Sequence, residues 1–281
     1  MANTEMVAAG TFNLMSVYSG MDQEMKDEFQ DELDDLGGGG IDHRMIKIPT
    51  GKVKSFTVES DDPDDPDTVK ELHGVILFTH LVNSRWEGEY NGENRMPVCT
   101  SWDAKTGTVM ATGEIISCDR CPYNQFREDE DGFLRKVCKN SRRIYLLLDG
   151  KPQLYLLQVP PTSLKDTQKQ LRRIMSGGKP YTHMVLSFTL TGAVSRSGQD
   201  YAKLSIAYLH DLAPEQVEIT RAMRAEIRNQ FKSVAITEED YYDTAAGSAP
   251  APSIPAGPPE AAPDDGFINI PEGIDAELPF K

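Results

Sequence analysis

Four cysteines are the side chains of this chain whose type and spacing are best suited to chemistry. Cys99, Cys118, Cys121 and Cys138 follow the pattern C-x18-C-x2-C-x16-C. The Cys-x2-Cys pair lets two thiolates reach one ion from a tight turn, and two distant cysteines can complete a tetrahedral shell around zinc. Four soft ligands leave no coordination position for a water nucleophile. The spacing therefore predicts one structural Zn²⁺ ion.

Other assignments of the cysteines remain open. An iron–sulfur cluster would use the same four thiolates, whereas a redox pair would need a thioredoxin-like βαβ unit, which does not surround Cys118. Cys99 stands alone in the sequence, so His80 or His73 could replace it as the fourth ligand. Disulfides are not expected, because the cytosol keeps thiols reduced.

The cysteines lie in a stretch that interrupts a series of strands. Residues 84–141 are rich in Gly, Asp and Asn, and we expect them to form an inserted, zinc-ribbon-like lobe that folds around its metal. The apolar run 73–82 predicts a buried strand before the lobe. Residues 142–148 and 152–159 predict a hairpin after it, joined by Asp149-Gly150.

Hydrophobic periodicity and turn residues predict the remaining elements. A hairpin is expected at 43–48 and 52–58, and two further strands at 183–190 and 201–209. The predicted helices are 22–35, which is acidic and amphipathic, 163–175, and about 214–231 with Val217, Met223, Ile227 and Phe231 inward. Ser163 and Asp166 are expected to form a capping box.

This order predicts a β-rich α+β protein with an OB-like barrel and flanking helices, because OB barrels place their helix between the third and fourth strands. The expected segments are an acidic N-terminal part (1–40), an OB-like nucleic-acid-binding core (41–235), a disordered linker (236–266) and an acidic, apolar tip (267–281). The Pro/Ala/Gly-rich linker cannot form a core. Apolar residues stranded beyond a linker favour partner binding.

The charge is distributed unevenly along the chain. The net charge is -15, yet residues 1–72 hold 17 acidic and 6 basic side chains and residues 236–281 hold 10 acidic and 1 basic. Residues 132–210 hold 13 Lys or Arg against only three Asp. A basic block between acidic ends favours an anion-binding face; a solvated surface of uneven charge is the alternative.

Basic and aromatic side chains are combined in this basic block and in the predicted lobe. Proteins that hold single strands pair a basic groove with aromatic faces for base stacking. In strand 142–148, alternation predicts that Arg143 and Tyr145 share the more polar face. The candidate DNA-binding residues are Trp86, Trp102, Tyr123, Arg142, Arg143, Tyr145, Lys165, Lys169, Arg172, Arg173, Lys179, Tyr201 and Lys203.

The tail resembles that of a known family. Its end, DDGFINIPEGIDAELPFK, is similar to the tails of bacterial and phage single-stranded DNA-binding proteins, which finish in acidic residues and a short apolar tip ending in Pro-Phe. The matching residues are Asp275, Glu277, Leu278, Pro279 and Phe280. The resemblance implies that this tip recruits replication and recombination proteins and competes with DNA. Lys281 follows the Phe and departs from the pattern. The four cysteines are foreign to the ordinary bacterial protein, so a phage-type, zinc-containing variant is expected.

The expected function is therefore sequence-nonspecific coating of single-stranded DNA in phage replication, recombination or repair, with self-association left open. The alternative is a zinc-ribbon transcription or recombination accessory protein acting on duplex DNA or polymerase. No enzyme is expected, since zinc-deaminase, phosphate-loop and nucleophile-elbow patterns are absent, although scattered acidic residues leave a metal-dependent nuclease open. Without a signal peptide or a long apolar run, the expected location is the cytoplasm of a bacterial or phage-infected cell.

Overall fold

The computed structural model describes residues 12–15, 21–35, 42–62, 64–87, 96–128, 132, 134–195 and 198–236. The helices in these residues are α1 (Gln23–Asp35), α2 (Pro161–Met175) and α3 (Pro214–Gln230). The strands are β1 (Arg44–Lys47), β2 (Phe56–Val58), β3 (Asp67–Val69), β4 (Glu71–Arg85), β5 (Cys99–Ser101), β6 (Thr106–Val109), β7 (Ile115–Ser117), β8 (Arg127–Glu128), β9 (Leu134–Arg135), β10 (Lys139–Leu148), β11 (Leu154–Val159), β12 (Met184–Val194) and β13 (Asp200–Asp211). The prediction of a β-rich α+β protein is confirmed.

Three antiparallel strands form the centre of the sheet. β4 pairs with β10 along almost the whole of β10, and β10 pairs with β11. The predicted hairpin turn is confirmed at Asp149-Gly150, where Gly150 has a φ of 66° that glycine adopts without steric cost. β1 adds to β11 in parallel and forms the predicted hairpin with β2.

The long strand β4 is shared between two sets of neighbours. Its first half pairs with β12, which in turn pairs with β13, and its second half pairs with β5. β6 and β7 continue outward from β5, so the described strands form one mixed sheet of 11 strands beside a separate β8–β9 ribbon. β4 therefore connects the main sheet to the cysteine-containing region.

Both faces of the central strands are buried. Ile144, Leu146 and Leu148 of β10 belong to one apolar cluster, which includes α2 residues, and Tyr145 and Leu147 belong to a second, which includes α3 residues. A sheet covered on both sides has no polar face. The predicted polar face of strand 142–148 is therefore wrong.

Helix α2 begins two residues earlier than predicted. Pro161 occupies its first position, where the fixed φ of proline favours a helix start. The predicted capping box is wrong, because Ser163 is buried inside the helix and its Oγ accepts a hydrogen bond from the backbone N–H of Leu204 (3.2 Å). Gln170 Oε1 likewise accepts the N–H of Ile206 (2.8 Å). These bonds cover the outer edge of β13, which would otherwise be open to another strand.

Helices α1 and α3 confirm the other two helix predictions. Ile227 of α3 is buried, and Val217, Met223 and Phe231 pack partly buried against the second cluster, as predicted. The described chain continues past α3 to a buried Ile236, and the linker boundary at residue 236 stays a prediction. The rest of the predicted linker and the tip lie outside the described residues. Among the described helices, none combines the length and apolarity needed to cross a membrane.

Candidate metal centre and nucleic-acid interface

The cysteines lie in an insertion between β4 and β10. β4 runs to Arg85 and β10 starts at Lys139, so the insertion covers residues 86–138, slightly less than the predicted 84–141. We call these residues the cysteine lobe. Cys99 lies in β5, Cys118 directly follows β7, Cys121 precedes a short 3-10 turn, and Cys138 precedes β10. The thiols thus come from β5, from the short turn between β7 and the 3-10 turn, and from the start of β10.

All four cysteines line one pocket of about 420 Å³. Gly107 lies against two of them: a Cβ at this position would come within 3.2 Å of Cys99 Sγ and 3.5 Å of Cys118 Sγ. A side chain at residue 107 would therefore displace the sulfur atoms. The prediction that these distant cysteines come together is supported by their shared pocket.

The thiol pKa values reflect this crowding. Burial, together with a smaller contribution from the other three cysteines, raises the pKa of the Cys138 thiol to about 12. Burial also raises the pKa of Cys99, with added contributions from Cys118 and Cys121. A metal cation in the pocket would reverse these shifts, because a coordinating thiol loses its proton.

The four thiols of the pocket are of the donor type that binds zinc, but their sulfur atoms are not arranged as a metal site. Four cysteine sulfurs are a common donor set of structural zinc. Within the described residues, no group of three or more His, Cys, Asp or Glu side chains has the geometry to hold a metal ion. Metal binding and folding are coupled in small metal-bound modules, so a bound zinc ion would itself fix the sulfur positions.

Neither histidine proposed as an alternative ligand lines this pocket. His80 Nδ1 lies 3.0 Å from the carbonyl oxygen of Trp102, and the ring stacks on Phe78. His73 Nε2 lies 3.0 Å from a carboxylate oxygen of Glu71. Cys99 is therefore the better fourth ligand.

Three asparagines attach the cysteine lobe to the central strands. Asn140 of β10 donates hydrogen bonds to Asn83 of β4 and to Asn124 of the lobe. Asn124 in turn donates to the carbonyl oxygen of Cys118 (2.9 Å), and Lys136 Nζ donates to the side-chain oxygens of Asn124 and Asn140. We call Asn83, Asn124 and Asn140 the asparagine hub. It links Cys118, through Asn124, to the central strands β4 and β10.

Two aromatic rings of the lobe are exposed and each carries a cation. Tyr123 is 44% exposed, with the Arg85 guanidinium 4.1 Å from its ring centroid. Phe126 is 65% exposed, with Lys136 Nζ 4.7 Å from its centroid. Cations over aromatic faces are attracted by the ring quadrupole. The lobe therefore presents aromatic and cationic groups side by side.

The predicted basic surface of helix α2 is exposed. Lys165, Lys169, Arg172 and Arg173 all face solvent, and we call them the α2 basic row. Two other predicted cations lie in ion pairs: Lys203 with Asp166, and Lys179 with Asp211.

Two of the predicted DNA-binding residues are not available to DNA, so these predictions are wrong. Tyr145 is fully buried in the second cluster. Arg143 is 2% exposed, and its guanidinium donates to the carbonyl oxygens of Val234 (2.9 Å) and Ala235 (2.6 Å). Both side chains point to the face that α3 covers, which the strand pattern alone did not reveal.

The remaining candidates are half-buried. Arg142 donates to Thr79 Oγ1 (3.1 Å), and burial lowers its pKa. Trp86 Nε1 donates to Ser84 Oγ (3.1 Å), the ring of Trp102 lies beside the Arg143 guanidinium, and Tyr201 is half-buried in β13. All four side chains are therefore only partly open to solvent.

Sequence reasoning missed Arg85 and Lys136 as partners of the lobe aromatics. Arg85 lies 38 positions before Tyr123, so no local spacing could have paired them. Lys136 and Phe126 belong to the short β8–β9 region, where a hairpin pattern could have indicated their proximity.

The partner-binding candidates Asp275, Glu277, Leu278, Pro279 and Phe280 lie outside the described residues. Comparison with family models, curated proteins and solved structures finds no match for this chain.

Proposed function

We propose that this chain is a non-enzymatic, sequence-nonspecific single-stranded DNA-binding protein that coats DNA during phage replication, recombination or repair. The observation that carries the proposal is the pair of exposed, cation-bearing rings on the cysteine lobe, Tyr123 with Arg85 and Phe126 with Lys136. In this proposal the acidic tip recruits partner proteins.

Exposed rings favour a single strand over a duplex. Bases in a duplex are already stacked on one another, whereas an unpaired base can stack on an aromatic side chain, a contact worth about 1–3 kcal/mol. The cations beside Tyr123 and Phe126 can neutralise the flanking phosphates. Stacking is tolerant of sequence, because every base has a π-face.

The strand connectivity supports an OB-like core. β4, β10 and β11 form a meander, α2 follows, and the β12–β13 hairpin returns to pair β12 with β4. In this interpretation the cysteine lobe occupies the loop between the first and second strands, one of the two loops that bind oligonucleotides in OB folds. The chain departs from the pattern at closure, where β11 pairs with β1 in parallel.

A structural zinc ion is part of the proposal. When bound to Cys99, Cys118, Cys121 and Cys138, it supplies a tetrahedral cross-link that folds a largely polar lobe. The asparagine hub then fixes the lobe against β4 and β10, so that Tyr123 and Phe126 are presented in a constant orientation.

The test is binding of the full chain to a fluorescent oligothymidine and to a matched duplex at two salt concentrations. We expect strong preference for the single strand, weakening with salt. Tyr123→Ala and Phe126→Ala should each lower affinity by roughly 5- to 100-fold. Thr108→Ala, an exposed change on the same lobe, should have no effect. Equal binding to the duplex, or full affinity in both aromatic variants, would contradict the proposal.

One observation favours a second candidate, the zinc-ribbon accessory protein. Several apolar side chains of the lobe are exposed: Met96, Met110, Ile115, Leu134 and Val137. Exposed apolar groups can mark a protein docking site. The same binding experiment separates the two candidates, since an accessory protein would bind the duplex or a polymerase in preference to oligothymidine.

A further inference from the structure

The edge strand β13 contains a β-bulge near its C-terminal end. Leu186 of β12 pairs with Tyr208 and Val185 pairs with His210, so Leu209 is an extra residue in β13. Bulges bend a strand and redirect side chains, and they are frequent next to functional sites.

The ring of Tyr208 is exposed where strand alternation predicts burial. Tyr208 lies on the same face of β13 as Leu204 and Ile206, both buried, yet it is 48% exposed. Its hydroxyl donates to a carboxylate oxygen of Asp211 (3.2 Å), and Asp211 forms an ion pair with Lys179. The hydroxyl is therefore held in place while much of the side chain stays open to solvent.

The α2 basic row leads toward this ring. Ser163 bonds to the backbone of Leu204 and Gln170 to that of Ile206, so α2 and β13 advance in the same direction. Tyr208 follows two residues after Ile206, so it lies further along β13 in the direction of the C-terminal end of α2, whose last turn carries Arg172 and Arg173.

Helix α2 carries four basic side chains and one acidic side chain. Asp166, its only acidic residue, is engaged by Lys203 of β13. Lys165 and Arg173 are separated by about 12 Å along the axis at about 1.5 Å per residue, a length over which a stacked strand at about 3.4 Å per nucleotide places three to four phosphates. The regularly spaced phosphates of a single nucleic-acid strand therefore match the length of the α2 basic row.

We infer that Tyr208 and the α2 basic row form a second single-strand contact, in which phosphates follow the helix and one base stacks on the Tyr208 ring. This inference rests on the proposed function and extends it to a base-binding position outside the cysteine lobe. The two contacts are attached to opposite ends of β4. The cysteine lobe pairs with the C-terminal end of β4 through β5, whereas β12, the partner of β13, pairs with its N-terminal end.

The test compares full-length Tyr208→Ala, Tyr208→Phe and wild type in binding to oligothymidine and to an abasic strand of equal length. We expect Tyr208→Ala to lower oligothymidine affinity by roughly 5- to 100-fold and to leave abasic-strand affinity unchanged. Tyr208→Phe, which keeps the ring, should stay within about twofold of wild type, as should the control Leu209→Ala. Thermal melting checks that each variant is folded.

The opposing outcomes are distinct. If Phe126→Ala weakens binding to oligothymidine and Tyr208→Ala does not, the second contact is wrong and the proposed function stands. An equal loss for both strands in Tyr208→Ala would mean a structural or purely electrostatic role and would overturn the stacking. If the wild type does not bind oligothymidine, both the function and this inference are wrong.

Discussion

Cys118 contacts several different parts of the cysteine lobe. It is buried, its backbone N–H donates to the carbonyl oxygen of Lys105 (2.8 Å), and its own carbonyl oxygen accepts from Asn124. Its sulfur lies against Gly107, close to that of Cys99. One residue therefore joins the proposed metal site, the lobe strands and the asparagine hub.

Replacing this thiol tests the metal centre. We expect Cys118→Ser to lose about one zinc per chain and to unfold the cysteine lobe, because a hydroxyl is a poor zinc ligand and the proposed ion would hold the lobe folded. Metal analysis of the purified protein measures the zinc. Thr106→Ser, an exposed change on β6, should keep its metal. A Cys118→Ser variant with full zinc content would rule out this ligand set.

His80 makes stability depend on pH. Burial, helped by the positive charge of Arg143, lowers its pKa to about 4. The unfolded chain takes up a proton near pH 6.5, whereas the folded chain does so only near pH 4. The free energy of unfolding should thus decrease as the pH falls through this window, by about 3 kcal/mol in total.

The measurement is urea unfolding of wild type and His80→Asn at pH 7.5 and 4.5. Carboxylates contribute to the wild-type pH dependence as well, so the comparison isolates the histidine. We expect the loss of stability between the two pH values to be about 2 kcal/mol smaller in His80→Asn. An unchanged pH dependence in the variant would show that His80 is not the titrating group.

At the scale of secondary structure, the two long helices have different tasks. Helix α2 closes the β13 edge with Ser163 and Gln170 while its outer face stays basic. Helix α3 covers the opposite face of the sheet, and the chain after it is tied down by Arg143 through the carbonyl oxygens of Val234 and Ala235. Replacing an arginine on β10 is therefore expected to affect stability, whereas replacing one on α2 is expected to affect DNA binding.

Arg143→Ala and Arg173→Ala test this difference. Arg143→Ala should lower the free energy of unfolding by about 2–4 kcal/mol, because it removes two hydrogen bonds and leaves a cavity in a buried site. Arg173→Ala should change stability by less than about 0.5 kcal/mol but weaken oligothymidine binding. Urea unfolding and anisotropy measure the two quantities. If Arg173→Ala lowered the free energy of unfolding and Arg143→Ala weakened only oligothymidine binding, the roles assigned to the two arginines would be wrong.

At the scale of the whole molecule, opposite charges occupy different parts of the chain. The excess of Lys and Arg lies within 132–210, and acidic residues dominate 1–72 and 236–281. An acidic segment attached to a basic surface competes with a phosphate backbone for the same cations. The ends of the chain are thus expected to weaken DNA binding.

Cutting the chain after Thr244 tests this competition. Oligothymidine affinity should stay equal or increase, most clearly at low salt, where charge interactions are least screened. Recruitment of replication or recombination proteins should be lost with the tip. Anisotropy titrations at two salt concentrations measure the first effect, and pull-down with the full-length chain as control measures the second. A truncated chain that no longer binds oligothymidine would count against the proposed function.

The sequence by itself determined the fold class, a β-rich α+β protein, and most of the secondary-structure elements. Strand and helix periods depend on near neighbours, so the hairpin at Asp149-Gly150, the long strand β4 and helices α1 and α3 were predictable from local pattern. The spacing of Cys118 and Cys121 likewise indicated a shared site, because a Cys-x2-Cys turn is itself a local structure.

Only the tertiary structure decided which side chains are exposed. Arg143 and Tyr145 lie on a face that α3 covers from some 70 to 90 residues away, and a period-2 pattern cannot show that both faces of a sheet are covered. Tyr208 is 48% exposed beside the β-bulge, although Leu204 and Ile206 on the same face of β13 are buried. Such exposure depends on long-range packing, whereas the sequence pattern reports only what each segment prefers by itself.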